Sequence, residues 1–298
     1  MRYLLLFLTT LSLQAHTISN YKAINSCVQF GQKEYFAIRS FQFDSRNSLL
    51  VVDANTLKTG VVPAKDAVAN NCSQEILDSR YRKLLKYILS KRHHLQNDGI
   101  VSNANGVTIT TDLCPSSKSG FEERLYLALI KNFPNPVPVT LFITKRWIEK
   151  HISAFEKLRK WDREGMLNIA WGNHTALHIY HPKVPLNKNF VLSPEEHLEK
   201  DVLDLEIELL KRGALPSVFF RFPGLISDKN VIERVTRLGL ITIGTNTWLA
   251  KGSKVQKNSI ILVHGNKNEP KGVDIFLEEL HKGAISTPVS ILQLIPMR

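Results

Sequence analysis

The sequence predicts an α/β protein built on a parallel sheet, and three observations carry that reading. Short, β-branched apolar runs recur from about residue 100 to residue 285 of the 298-residue chain. Amphipathic segments of helical length fall between them. Most of the apolar runs end in polar, chemistry-bearing residues. Strands alternating with helices of this length read as βαβ units, in which the strands are parallel.

The elements follow in order. Val107-Thr108-Ile109-Thr110-Thr111 is the first β-branched run and Val139-Thr140-Leu141-Phe142-Ile143 the second. Leu167-Asn168-Ile169-Ala170, Val218-Phe219-Phe220 and Ile260-Ile261-Leu262-Val263 supply further strands. Between them, residues 120–132 place Phe121, Leu125 and Leu129 on one helical face, and residues 146–163 form the next helix. Ser193-Pro194-Glu195-Glu196 reads as a helix start, with Ser as N-cap and Pro at the first position. The helix it opens turns Leu198, Val202, Leu205 and Leu209 inward and ends near Gly213. Residues 229–238 and 273–282 complete the helical set.

Ahead of this pattern the chain divides into a leader, residues 1–15, and an α+β extension, residues 16–98; residues 99–298 form the main domain. Met1-Arg2, an apolar core from Tyr3 to Leu13 and the small residue Ala15 read as a secretory signal. The apolar core is far shorter than the ~20 residues a membrane span needs. No later segment is long and apolar enough either, so the mature chain is expected outside the cytoplasm, periplasmic or secreted, with no transmembrane segment. In the extension, residues 34–43 and 48–52 alternate as strands do. Residues 71–94 form an amphipathic helix with Leu77, Tyr81, Leu84, Leu85 and Ile88 on one face and lysines and arginine on the other. Residues 96–105, rich in Asn and Gly, form the linker.

The net charge of +12 suits an anionic partner as well as a solvated surface. No nucleic-acid-binding motif accompanies it, so an anionic cell-envelope polymer is the expected partner of an exported chain. Of the three cysteines, Cys27 and Cys72 lie in the extension and can pair in an oxidising compartment, leaving Cys114 over.

The residues at the strand ends carry the chemistry. Asp112-Leu113-Cys114-Pro115 follows the first run, and Trp171-Gly172-Asn173-His174-Thr175-Ala176-Leu177-His178 follows the third. Arg221-Phe222-Pro223-Gly224, Asn246-Thr247-Trp248 and Leu262-Val263-His264 come later. Paired histidines suit a divalent metal, zinc first and then cobalt, nickel or iron. In barrels of alternating strands and helices, catalytic residues gather where the strands end.

In this order and spacing the motifs resemble those of the polysaccharide deacetylases, the NodB-homology domains of carbohydrate esterase family 4. The resemblance covers roughly residues 100–285. His174-Thr175-Ala176-Leu177-His178 is similar to the family's H-[ST]-x-x-H metal motif, Arg221-Phe222-Pro223 to its R-x-P motif, and Leu262-Val263-His264 to its L-x-H motif. The resemblance implies an irregular (β/α) barrel with fewer than eight complete repeats. It implies an exported, metal-dependent hydrolase that removes N-acetyl or O-acetyl groups from a polysaccharide such as peptidoglycan or a chitin-like glycan. It makes Asp112 the catalytic base, His264 the general acid and Arg221 the partner that orients Asp112. His174 and His178 become metal ligands; Trp248, Leu262 and Pro223 become substrate-binding.

Two positions depart from the family pattern. Leu113 stands where the family has the aspartate that is its third metal ligand, and Gly244 and Thr247 stand where acids support the histidine corresponding to His264. Three outcomes stay open: the two histidines hold the metal alone, Cys114 replaces the missing carboxylate, or the chain is a degenerate relative that binds envelope polysaccharide without turnover. A hydrolase of a small non-sugar amide is a further alternative.

Overall fold

The computed structural model describes residues 15–297, so the expected leader lies outside the described residues except for Ala15. The chain first forms an antiparallel sheet from β1 (Ile18–Phe30), β2 (Lys33–Phe43), β3 (Arg46–Val52), β4 (Thr59–Pro63) and β5 (Ala67–Asn70). The helices α1 (Gln74–Leu77) and α2 (Arg80–Ser90) follow. The main sheet then alternates with helices: β6 (Thr108–Leu113), α3 (Glu123–Asn132), β7 (Val137–Ile143), α4 (Lys145–Lys150), α5 (Ile152–Arg163), β8 (Leu167–Asn173), α6 (Leu198–Lys211) and β9 (Pro216–Phe220). It closes with α7 (Lys229–Arg237), β10 (Ile241–Thr242), β11 (Thr247–Trp248), β12 (Ile260–His264) and α8 (Pro270–His281).

The main sheet runs β10-β9-β8-β7-β6-β12-β11, and its paired strands are parallel. It is curled, and β10 and β11 are not paired with one another. This is the expected irregular barrel with an α+β extension. Every residue of β6 is buried, as a strand covered on both faces requires. The register brings the chemistry to one rim. His264 of β12 lies opposite Asp112 of β6, and Ile143, Asn173 and Phe220 align at the ends of β7, β8 and β9.

The extension shares its core with the main sheet. Phe36, Ile38, Tyr81 and Leu85 belong to one buried cluster with Phe219, Val235 and Leu240. A buried ion pair crosses the same boundary. The fully buried Arg39 of β2 donates through Nε and Nη2 to Glu206 of α6, at 2.6 and 2.8 Å, and through Nη1 to the Leu238 carbonyl. Tyr21 adds a hydrogen bond to the same carboxylate at 2.9 Å. Cys27 and Cys72 are joined as a disulfide.

Several local expectations are corrected. The single helix expected over residues 71–94 is two, because Ser79 caps the second by accepting the Arg82 amide. The helix expected over residues 146–163 breaks at His151, whose non-helical backbone ends α4 and opens α5. The cap signal at Ser193-Pro194 starts no helix. Ser193 closes a 3-10 turn over Phe190–Leu192, and α6 begins at Leu198. The expected linker is docked, with bridges Gln96–Ile226, Ile100–Ile243 and Ser102–Ser259 along the sheet. Gly99 allows that approach, since a Cβ there would meet the Thr242 carbonyl oxygen at 2.5 Å. Strand β1 escapes sequence reading because two register shifts interrupt its alternation.

Removing one partner of a buried ion pair strands the other charge in a low-dielectric interior, at a cost of about 3–5 kcal/mol. Arg39→Ala is therefore expected to lower the unfolding free energy by about that much, read from urea midpoints.

Candidate functional site

The site forms where β6, β8, β9 and β12 end. Asp112, 3% exposed, accepts a 2.7 Å hydrogen bond from Arg221 Nη1. Arg221 is itself fully buried and donates further to Thr110 Oγ1 at 2.8 Å, the Gly244 carbonyl at 2.9 Å and the Ile243 carbonyl at 3.3 Å. Its guanidinium lies 4.2 Å from the centre of the Phe142 ring. Burial alone would raise the Asp112 pKa, but Arg221, with His174 and His264, holds the carboxylate below its usual range.

Alternation along β6 separates its last residues. Leu113 belongs to the core cluster with Phe121, Leu125 and Tyr126, on the helix-covered side of the sheet. Asp112 and Cys114, two apart, turn the other way, toward the histidines. The thiol of Cys114 therefore comes beside the histidines. Its Sγ lies 3.5 Å from His174 Nε2. Burial would push this thiol up, yet His178 and His174 beside it hold its pKa well below the ordinary value.

His174 follows β8, and its ring is fixed by Nδ1 donating to the Arg221 carbonyl at 2.7 Å. That bond selects the tautomer with its lone pair on Nε2, 3.9 Å from Asp112 Oδ2. The loop after it is tightly tied. Asn173 Oδ1 accepts the Thr175 amide, Thr175 Oγ1 accepts the His178 amide, and Asp201 of α6 accepts the Leu177 amide. Thr175 and His178 adopt positive φ of 67° and 50°, which swings the second histidine back beside the first. Their ring centres are 4.9 Å apart.

These residues fit a metal ion. The ligand atoms of Cys114, His174 and His178 lie within 4.8 Å of one another. His178 Nε2 is buried with no hydrogen-bond partner, a lone pair left for a Lewis acid. A thiolate with two imidazoles, one of them oriented by a backbone carbonyl, matches the donor chemistry of an open zinc site.

Opposite them, His264 Nδ1 lies 2.7 Å from Glu269 Oε2, an ion-pair contact whose angle falls short of a hydrogen bond. Trp248 Nε1 donates to the same oxygen at 3.0 Å. Burial would lower the His264 pKa, but Cys114 and Glu269 raise it well above the ordinary value. Sequence reasoning missed Glu269. It looked for the supporting acid at Gly244 and Thr247, whereas the acid arrives five residues after His264, at the start of α8. The Glu269-Pro270 helix-start signal was the available clue. Leu262 is buried in β12, paired in register with Trp248 and Thr110. Pro223 is buried and opens the turn after Arg221.

A family model described as the RP012 protein N-terminal domain matches residues 19–85. Among solved structures, the chain is similar to a family 4 carbohydrate esterase from Bacillus anthracis, at 17% identity over 76% of this chain and 95% of that one, with a TM-score of 0.48. It is similar to the family 4 carbohydrate esterase PdaA from Bacillus subtilis, at 16% identity over 82% and 92% of the two chains, with a TM-score of 0.48. It is also similar to a family 4 pseudoenzyme from Bacillus anthracis, at 14% identity over 94% and 90%, with a TM-score of 0.43.

One carboxyl beside the histidine loop titrates far from its usual range. Glu196 is pushed up to about 8, first by burial and then by Asp201. The folded protein thus keeps a proton that the unfolded chain has lost, so stability falls as pH rises from the ordinary carboxylate range to about 8. Glu196→Gln is expected to flatten that decline, measured as denaturant midpoints across the interval.

Proposed function

We propose that this protein is an exported, metal-dependent hydrolase that removes acetyl groups from a polysaccharide, peptidoglycan or a chitin-like glycan being the class considered. The observation that supports it best is the convergence of two distinct sets on one rim. Cys114, His174 and His178 offer metal ligands, and Asp112 with Arg221 faces His264 with Glu269 across β6 and β12. A module that only bound sugar would need neither set.

An acetamide is a poor electrophile with a poor leaving group. Cys114, His174 and His178 would hold a divalent ion, zinc by its donor chemistry, which would supply Lewis acidity for an acetyl carbonyl and for the acidification of water. Asp112, kept ionised by Arg221, takes the proton of the attacking water. His264, kept protonated beside Glu269, gives its proton to the departing nitrogen as the C–N bond breaks, releasing acetate and the free amine. On an O-acetyl group the same proton goes to the alcohol oxygen. Trp248 and Leu262 wall the pocket for the acetyl methyl, and Pro223 shapes the turn that seats Arg221.

In this reading residues 99–298 form the deacetylase-like unit and residues 16–98 a docked extension. Export is supported by the signal-like leader and by the Cys27–Cys72 disulfide, a bond that persists in oxidising compartments. The net charge of +12 favours an anionic envelope polymer as the substrate-bearing surface.

Asp112→Ala and His264→Ala are each expected to reduce acetate release from N-acetylglucosamine oligomers by about a hundredfold or more while the protein stays folded. Undiminished release by either variant overturns the assignment. Cys114→Ala is expected to lower zinc content after dialysis against buffered zinc, measured by elemental analysis; unchanged zinc removes Cys114 from the ligand set.

A further inference from the structure

The segment after His178 carries an aromatic ring that the mechanism leaves unused. Tyr180 is 53% exposed, in a stretch that also exposes Leu177, Val184 and Leu186. Its ring is not loose. It stacks on Phe190 at 5.0 Å between centres and 21° between planes. Phe190, 8% exposed, in turn meets His178 edge-on at 5.7 Å.

The surroundings hold this stack in place. Phe190 has a positive φ of 52°, a conformation that costs energy and has to be maintained by its surroundings. The preceding Asn189 is fully buried, accepts the His181 amide, and donates to the His181 and Val184 carbonyls at 2.7 and 2.9 Å. Gly224, in the turn after Arg221, leaves room for the Phe190 ring; a Cβ there would sit 2.6 Å from it. The 3-10 turn Phe190–Leu192 closes on Ser193. A long polar-tipped ring is thus fixed by one face, with the other turned to solvent, next to a histidine of the candidate metal set.

An exposed aromatic ring held rigid is already desolvated on one side and loses little conformational freedom on binding. The apolar C–H face of a pyranose is the complement of such a ring: flat, aliphatic, and rimmed by hydroxyls that stay in water, while the phenol oxygen can meet one of them. We propose that Tyr180 is a stacking platform for a pyranose ring of the substrate, positioning the glycan beside the His174–His178 pair. This rests on the polysaccharide reading above and adds a residue that decides which chains are held.

The test is calorimetric titration of the full-length chain with the pentamer of N-acetylglucosamine, alongside Tyr180→Ala, Tyr180→Phe and Tyr180→Trp, with acetate release measured in parallel. Tyr180→Ala is expected to bind about tenfold more weakly, with a matching rise in KM and little change in kcat. Tyr180→Phe and Tyr180→Trp are expected to retain most of the affinity, a rescue that a loss of folding would not show. Equal affinity of Tyr180→Ala and the native chain overturns the platform, as does failure of the native chain to bind the pentamer. Pentamer binding that depends on Tyr180 without acetate release would sink the hydrolase reading and keep the platform. Acetate release with an unchanged KM in Tyr180→Ala would do the reverse.

Discussion

The bond between Arg221 and Asp112 is the constraint around which the candidate site is arranged. A guanidinium with no exposure carries five donors that look for partners inside the protein. Four of them are met by Asp112 and Thr110 on β6 and by the Ile243 and Gly244 carbonyls beyond β10, so one side chain ties the centre of the sheet to its open edge. The Arg221 carbonyl meanwhile holds His174 Nδ1. Backbone and side chain of one residue therefore orient both the carboxylate and the first histidine. Moving Arg221 would disturb the ionisation of one group and the tautomer of the other together.

Charge in the site is divided rather than pooled. Asp112 is held low by Arg221 against its own burial, and His264 is held high by Cys114 and Glu269 against its own burial. Neighbouring groups whose environments drive their titrations apart are suited to opposite roles in proton transfer. The thiol of Cys114 lies beside His174 and His178, whose imidazoles hold its pKa low against burial. A thiolate beside two imidazoles would offer a candidate metal site a negatively charged, soft donor.

The antiparallel sheet is tied to the main domain through α6. Arg39 and Glu206 couple β2 to α6, and α6 in turn supplies Asp201, which accepts the Leu177 amide within the histidine loop. The boundary that carries this coupling is apolar as well, since aromatic and aliphatic residues of both sheets share one buried cluster. Support for the loop thus runs from the N-terminal sheet through one helix.

By itself the sequence determined the strand–helix alternation, the strand-end placement of Asp112, His174, Arg221 and His264, and the pairing available to Cys27 and Cys72. Those features are local: a period of two or of 3.6, a β-branched run, a motif at fixed spacing. What it left unreadable depended on partners distant in the chain. Strand β1 was hidden because bulges interrupt its alternation, and Ser193, which read as a helix cap, instead closes the 3-10 turn Phe190–Leu192. Glu269 came to His264 only because α8 begins at the rim where β12 ends. Most of all, only the tertiary structure showed which of the residues at the end of β6 lies beside the histidines. The pleat of β6 sends Leu113 into the helix-side core and brings Cys114 to the histidines, and which face of a strand is inner is settled by what packs against it.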